Sequence, residues 1–237
     1  MLKWGIMWSF CHNGDVAMFE CERGQLPAIG IENGEPIDQI YNPIGDTDSE
    51  KIFCSILNAL RNKFSTRPSL SELYDYLQLL LVEIVDHDHD GTILNFLLSC
   101  GEHLQFAYSW PGSRPGSKVW NGLHYCIREP PFKKAALTDC DYEVDFAEMT
   151  NEDDRVAVIA TKPLTLNEEW VEFERGELIL FDDGLPLRQT EECLKSELGG
   201  HGLDTDFLPR GQPKMLIEDM RRFAKKRNSQ TFTGAGI

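Results

Sequence analysis

Two successive helical patterns, flanked on both sides by strand patterns, constrain the fold of this chain most strongly. In residues 48–64 and 70–86, apolar side chains recur every three or four positions, as on one face of an amphipathic helix. The mostly apolar run at residues 4–11 is typical of a buried strand. A helical pair set between strands predicts an α+β domain built from packed layers.

The segments around the helices complete this prediction. A loop rich in glycine, proline, asparagine and aspartate covers residues 23–47. Further strands are predicted at 93–99, 103–110, 119–127, 142–146, 156–161 and 177–181, and a short helix at 166–173. We place one domain at residues 1–187 and a tail at 188–237, in which the spacing at 213–227 predicts an amphipathic, basic helix.

The charge balance limits the classes of partner, and the cysteines indicate the compartment. Lys and Arg total 23 against 39 Asp and Glu, a formal net charge of −16. Such a surface repels nucleic acid and anionic membranes, so neither is predicted as a partner. No apolar run approaches the length of a membrane span, and no leader peptide with a cleavage pattern is recognised. Seven cysteines without a CxxC pair predict reduced thiols in a cytoplasmic protein, and no cofactor is predicted.

The segment His12-Asn13-Gly14 is the first candidate for chemistry. Taken alone, Asn-Gly is typical of a tight hairpin turn. The alternative is an oxyanion hole, in which the Asn13 side-chain amide and the Gly14 backbone N–H donate to an oxygen that gains negative charge. Glycine suits that position because no Cβ blocks the approach of a tetrahedral intermediate. The pattern alone leaves both interpretations open.

The segment Thr47-Asp48-Ser49-Glu50 is the second candidate. Thr47 and Glu50 form a capping-box pattern at the start of the first predicted helix, and capping alone explains these residue types. A binding role would require Asp48 to face the ammonium group of a ligand while Thr47 caps the helix. Again both interpretations stay open.

Taken together and in this order, these segments resemble the class II glutamine amidotransferases. The resemblance extends to residues 45–54 (GDTDSEKIFC), to 95–99 (NFLLS) and to 158–165 (VIATKPLT) with Glu168, Glu169 and Trp170. It covers about residues 4–185 and is strongest to the subgroup of the fungal glutathione-degrading amidotransferase subunit and small bacterial relatives. It implies that Asn13 and Gly14 form the oxyanion hole. It also implies that Asp48, with His12, binds the substrate at its α-amino group.

The same resemblance implies an αββα sandwich of the N-terminal-nucleophile type, and two elements of that family are not found in this sequence. One is the N-terminal cysteine that attacks the amide; the other is an upstream HxR segment whose arginine holds the substrate carboxylate. We therefore expect a partial sandwich that lacks its N-terminal strands and is incomplete at its N-terminus. Without thiolate attack an oxyanion hole has no intermediate to stabilise, so this chain alone is predicted to be inactive.

Three functions remain open at this point. Completed by the missing cysteine segment, the protein would hydrolyse a glutamine or γ-glutamyl amide, including that of glutathione. An inactive relative would instead act as a binding or scaffold subunit beside a partner subunit. The third is a metal-dependent hydrolase centred on the alternating carboxylates and imidazoles at 86–90 (DHDHD). An acidic solvated loop explains that run more simply, so no metal site is predicted.

Internal cysteines do not replace the missing nucleophile in this prediction. Cys11 adjoins His12, and a Cys–His pair can act as nucleophile and base. Neighbouring residues of a strand, however, point to opposite faces of the sheet. We therefore expect that the Cys11 thiol and the His12 ring do not meet.

Overall fold

A computed structural model describes residues 1–187 of the chain, except 32, 33, 35, 140, 141, 147–149 and 152. The predicted tail at 188–237, with its helix at 213–227, lies outside the described residues. Residues 1–67 and 76–187 form one compact unit, which holds the sheets and the candidate site.

The first helix forms where local capping signals predict it. The helices are α1 (Asp48–Lys63) and α2 (Leu70–His87), with a 3₁₀ turn at Ala17–Phe19. Thr47 is the N-cap of α1, and its hydroxyl accepts a hydrogen bond from the Glu50 amide. The Glu50 carboxylate reaches back to the amides of Ile44 and Gly45, which fixes the turn before the helix. None of the helices in the described range is both long and apolar enough to cross a membrane.

The strands are arranged in antiparallel sheets. They are β1 (Leu2–Lys3), β2 (Ile6–Asp15), β3 (Ile93–Cys100), β4 (Leu104–Trp110), β5 (His124–Arg128), β6 (Lys134–Ala136), β7 (Glu143–Asp145), β8 (Val156–Ala160), β9 (Val171–Glu172), β10 (Glu177–Asp182) and β11 (Leu185–Pro186). A six-stranded sheet has the order β1-β2-β3-β4-β10-β11, a three-stranded sheet the order β8-β5-β9, and β6 pairs with β7.

The larger sheet is covered on both faces. On one face, Phe10 of β2 stacks on Phe53 of α1 with ring centroids 5.5 Å apart. On the other face, Ala107 and Phe181 form a buried cluster with residues of the smaller sheet, including Tyr125. Because successive side chains of a strand alternate between faces, one sheet contributes to both cores. The mixed α+β prediction is confirmed, as a helix layer and two sheet layers.

The segment that follows β2 is anchored to α1 by a buried lysine. The Lys51 ammonium donates hydrogen bonds to the carbonyls of Phe19 and Cys21, at 3.3 Å and 2.6 Å. A buried ammonium needs such partners because desolvation would otherwise be costly. These bonds fix the path of the chain between the end of β2 and the loop that leads to α1.

The predicted helix at 166–173 is wrong. The segment is irregular, with bends at 166–168 and β9 at its end, and the Glu168 side chain is engaged by Arg128, 40 residues away. The Glu168 carboxylate accepts two hydrogen bonds from the Arg128 guanidinium, at 2.6 Å and 2.7 Å, and a third from the Thr165 hydroxyl. The Trp170 indole N–H in turn donates to the Thr165 hydroxyl oxygen. Tertiary hydrogen bonding overrides the local helical spacing here.

The predicted strand at 119–127 begins later than expected, at His124 of β5. Before it, Asn121 makes only an isolated bridge with Gly112, to which it is joined by two backbone hydrogen bonds of 2.8 Å and 3.0 Å. The predicted strand at 142–146 is shorter than expected and forms β7. The remaining predicted strands agree with β2, β3, β4, β8 and β10 to within a few residues at each end.

Candidate functional site

Asn13 and Gly14 lie in β2, opposite Asn95 and Leu94 of β3. Neither residue has a positive φ, so the interpretation of Asn-Gly as a hairpin turn is wrong for this chain. The Asn13 side chain is exposed, and its amide makes no hydrogen bond to any residue in the described part of the chain. This side-chain donor is therefore available to a ligand.

Gly14 occupies a position that a larger residue could not. A Cβ added there would lie 1.8 Å from the Ile93 carbonyl oxygen and 2.7 Å from Nε2 of His12. The nearest of these atoms belongs to the backbone of β3, which is held in the sheet. The requirement for glycine is therefore steric and does not depend on an unusual backbone conformation.

His12 connects the end of β2 with the first turn of α1. Its Nδ1 lies 3.0 Å from the Ser49 hydroxyl oxygen and 3.8 Å from Oδ2 of Asp48. The Asp48 carboxylate accepts a hydrogen bond from the Ser49 amide at 2.7 Å. The His12 side chain is only 1% exposed, whereas that of Asp48 is 22% exposed. The arrangement thus presents one oriented carboxylate beside the Asn13-Gly14 strand.

Burial lowers the pKa of His12, against the opposing effects of the nearby Asp48 carboxylate and the Ile93 carbonyl. The ring is therefore neutral near pH 7. Its Nε2 lies 3.4 Å from the Ile93 carbonyl oxygen, which can only accept, so we assign the ring proton to Nε2. Nδ1 then accepts the Ser49 hydroxyl proton, which is shared with Oδ1 of Asp48 at 3.3 Å, and the neutral ring does not compete as a cation for the Asp48 carboxylate.

The lowered pKa of His12 should make stability depend on pH. As pH falls below the ordinary histidine pKa of about 6.5, the unfolded chain takes up this proton before the folded chain does. The free energy of unfolding should therefore decrease with falling pH between that value and the pKa in the folded state. The contribution of His12 to the slope is at most about 1.4 kcal/mol per pH unit.

Denaturant titrations between pH 7 and pH 5 measure this slope. His12→Asn should flatten it, because it removes the buried ring. An equal slope for the wild type and His12→Asn would contradict the assignment of a buried neutral ring.

Arg114 also reaches this strand from the segment between β4 and β5. Its guanidinium pairs with the Asp15 carboxylate, with Nη2 3.2 Å from Oδ1, and Nη2 lies 3.3 Å from the Gly14 carbonyl oxygen. The contact holds the segment after β4 against the end of β2. No local sequence pattern marks Arg114, because the contact joins residues 99 positions apart.

A buried polar network lies next to Asn13 on the face toward the smaller sheet. The Asn95 side-chain amide donates to the carbonyls of Asn13 and Asn121, at 3.3 Å and 3.2 Å. Its carbonyl oxygen accepts a 2.8 Å hydrogen bond from the Ser109 hydroxyl, which in turn accepts from the Leu123 amide at 3.2 Å. The network ties three adjacent strands to the segment that leads into β5.

The three buried cysteines in the described part of the chain do not supply an activated thiol. Burial raises the pKa of Cys54 and of Cys100 to about 11, and it also raises the pKa of Cys126. Cys11 is exposed, while the neighbouring His12 ring is buried and contacts Ser49 and the Ile93 carbonyl. A thiolate forms less readily where burial raises the thiol pKa, so the buried thiols are poor nucleophiles.

Side chains in the run at 86–90 stabilise the local structure. The Asp88 carboxylate accepts a hydrogen bond from the Gly91 amide, and the His89 ring packs edge-on against Trp110 at 4.9 Å. Among the residues that the structure describes, no three His, Cys, Asp or Glu side chains are placed to hold a metal ion. The geometry gives no support to the metal-dependent hydrolase alternative.

The sequence matches a protein-family model and several curated proteins. The family model for class II glutamine amidotransferases matches residues 2–198. A Haemophilus influenzae protein named "Putative glutamine amidotransferase" is 34% identical over 181 residues, which cover 76% of this chain and 52% of that protein. The Escherichia coli protein "Putative glutamine amidotransferase YafJ" is 32% identical over 75% of this chain and 59% of that protein. The chain thus spans little more than half the length of these curated relatives.

A solved structure extends the similarity to three dimensions. The crystal structure of a "predicted glutamine amidotransferase" from Pseudomonas aeruginosa superposes with a TM-score of 0.56 at 32% sequence identity. The superposition covers 80% of this chain and 63% of the other.

Proposed function

Because this chain belongs to the class II glutamine amidotransferases, we propose that it binds glutamine or a γ-glutamyl compound at the junction of β2 and α1. The observation that carries the proposal is the contact of His12 with Ser49 and Asp48. It places a partly exposed carboxylate, suited to an α-ammonium group, beside the strand that holds Asn13 and Gly14. The buried His12 side chain orients Ser49 and Asp48.

In the reaction, the amide carbonyl of the substrate lies against Asn13 and Gly14. A cysteine thiolate from outside the described residues attacks the carbonyl carbon, and the carbonyl oxygen becomes an oxyanion. The Asn13 side-chain amide and the Gly14 N–H donate hydrogen bonds to it. The C–N bond then breaks, ammonia or the amine leaves with the proton that the thiol lost, and water hydrolyses the remaining thioester to the acid and the free thiol. Stabilisation of this kind lowers the barrier because the donors are oriented before charge develops.

The fold that we propose around this chemistry is the αββα sandwich of N-terminal-nucleophile hydrolases, of which the described residues form one helix layer and two sheet layers. The substrate is glutamine or a γ-glutamyl peptide such as glutathione. A partner subunit could take up the released amine. The five described cysteines are free thiols, which supports a reducing, cytoplasmic location.

A binding or scaffold role is the second candidate. It is favoured by the raised pKa of the buried described thiols, which argues against a nucleophile among them. The two functions differ in one measurable result. The protein isolated from its source cells should release ammonia or amine from glutamine or a γ-glutamyl peptide if it is an enzyme, and should bind without turnover if it is a scaffold.

Asp48→Asn should weaken binding of L-glutamine by about tenfold to a hundredfold. The substitution removes the charge that faces the α-ammonium, and a charge-assisted hydrogen bond contributes about 1.5–3 kcal/mol. It keeps an oxygen for the Ser49 amide, so α1 should remain intact. Isothermal titration calorimetry on the protein expressed from its complete reading frame measures the change.

Asp46→Asn is the matched control. Asp46 is an exposed carboxylate two residues away, paired with Arg23 on the surface, so its loss changes the net charge equally without touching the site. It should leave the dissociation constant within about twofold, as expected for a surface charge. Equal weakening by both substitutions would show that general electrostatics, and not a contact with Asp48, governs binding.

A further inference from the structure

We propose that Asn95, held by Ser109, is a positioning residue that orients the Asn13–Gly14 peptide so that its N–H points at the reacting oxygen. The inference rests on the proposed function, because it concerns one of the two oxyanion donors. It assigns a role to two buried polar side chains that do not themselves reach the substrate.

The first step is the geometry of one peptide unit. The carbonyl of Asn13 and the N–H of Gly14 belong to the same planar trans peptide and point in opposite directions. The Asn95 amide donates to that carbonyl at 3.3 Å. This bond adds to the strand pairing of Asn13 with Asn95, and together they fix the carbonyl and so direct the Gly14 N–H away from Asn95.

The second step is that Asn95 itself is fixed. It lies in register between Asn13 of β2 and Ser109 of β4, so the three residues form a row across adjacent strands. Asn95 is 1% exposed and Ser109 is 0% exposed. Both donors and the acceptor of the Asn95 amide are engaged, and the Ser109 hydroxyl both donates and accepts. A fully satisfied buried network holds its members rigidly.

The third step is electronic. A hydrogen bond accepted by a peptide carbonyl polarises the peptide and strengthens the donor ability of its N–H. The Asn95 bond therefore makes the Gly14 N–H a stronger donor to a developing oxyanion, besides orienting it. Apolar side chains at positions 95 and 109 would fill the core, but they would neither orient the Gly14 N–H nor strengthen it as a donor.

Asn95→Asp tests the inference, since it keeps the shape of the side chain and loses both amide donors. We expect the NMR signal of the Gly14 amide proton to shift upfield, because the peptide loses the polarising hydrogen bond to its carbonyl. We also expect kcat for glutamine hydrolysis to fall about tenfold while KM stays within twofold. Both are measured on the protein expressed from its complete reading frame, and the amide signals need no ligand.

Two further variants separate positioning from folding. If Asn95→Asp does not fold, Ser109→Ala tests the same inference with a smaller expected effect. Ser109→Thr should restore the wild-type Gly14 amide signal and kcat, because threonine keeps the hydroxyl. Ser99→Ala is the matched control. It breaks a 2.8 Å cross-strand bond with Gln105 in the same two strands, away from the site, and should change neither the Gly14 amide nor kcat.

The possible failures are distinguishable. An unchanged Gly14 amide in the Asn95 and Ser109 variants would overturn this inference and leave the proposed function standing. A changed amide with kcat unaltered would also overturn it, because the peptide would then be positioned without consequence for the reaction. If the wild-type protein shows no binding and no turnover of glutamine, the proposed function is overturned, and this inference with it.

Discussion

Asn13→Ala should lower kcat for glutamine hydrolysis by about 10²- to 10³-fold, because it removes one of two donors to the oxyanion. The loss corresponds to about 3–4 kcal/mol of transition-state stabilisation. KM should change little, since the neutral carbonyl of the substrate gains less from the donor than the oxyanion does. Steady-state kinetics on the protein expressed from its complete reading frame measure both constants.

The same substitution should leave the fold intact. The Asn13 side chain is exposed and makes no hydrogen bond within the described part of the chain, so the melting temperature should stay close to that of the wild type. Ser9→Ala, at another exposed polar position on the same face of β2, should alter neither kcat nor stability. Comparable rates for Asn13→Ala and the wild type would remove Asn13 from the oxyanion hole.

Gly14→Ala should destabilise the folded chain by about 3 kcal/mol, at the upper end of overpacking penalties. The added Cβ would lie 1.8 Å from the Ile93 carbonyl oxygen, so β2 and β3 must separate at this point. The separation would also displace the Gly14 N–H, and activity should be lost in the fraction of protein that still folds. Chemical denaturation gives the change in the free energy of unfolding.

Gly24→Ala is the control for this substitution. Gly24 has a φ of +81° and open space around it, so its replacement tests backbone strain without a collision. It should cost about 1 kcal/mol, the expected penalty of a left-handed backbone for alanine. A Gly14→Ala variant as stable as Gly24→Ala would show that the strands adapt and that the close approach is not rigid.

Elements with local signals could be predicted from the sequence. The helix predicted at 48–64 is observed at Asp48–Lys63, because Thr47 caps it and its apolar face matches the helical period. The strand predicted at 93–99 is observed at Ile93–Cys100, since a continuous buried run is typical of a central strand. In both cases the information lies within one segment.

Features that depend on distant partners could not be predicted in this way. The 166–173 segment has helical spacing, yet the bond of Glu168 to Arg128, 40 residues away, favours an irregular path over a helix. The β6–β7 pair is short, and β6 is also held by the Asn167 side chain, which accepts from the Ala136 amide 31 residues away. Local propensity is a weak guide where tertiary contacts decide the conformation.

The candidate site likewise combines residues that a local motif marks with residues that only the fold brings together. Its motifs pointed to Asn13, Gly14 and Asp48, and the structure brings Asp48 to the neighbouring His12. Ser109 and Arg114 carry no motif, and their contacts with this strand and its neighbour arise only when β2, β3 and β4 assemble. Residues that support a site from behind are therefore found from the fold and not from the sequence.

The most direct test of the glutamine pocket is a titration of the ¹⁵N-labelled protein with L-glutamine, followed by NMR. The side-chain amide of Asn13 and the backbone amides of Gly14 and Ser49 should shift together with one dissociation constant, and Asp48→Asn should weaken that constant. Saturable binding that shifts other residues and leaves these three signals in place would contradict the proposed pocket. So would the absence of any shift at millimolar glutamine.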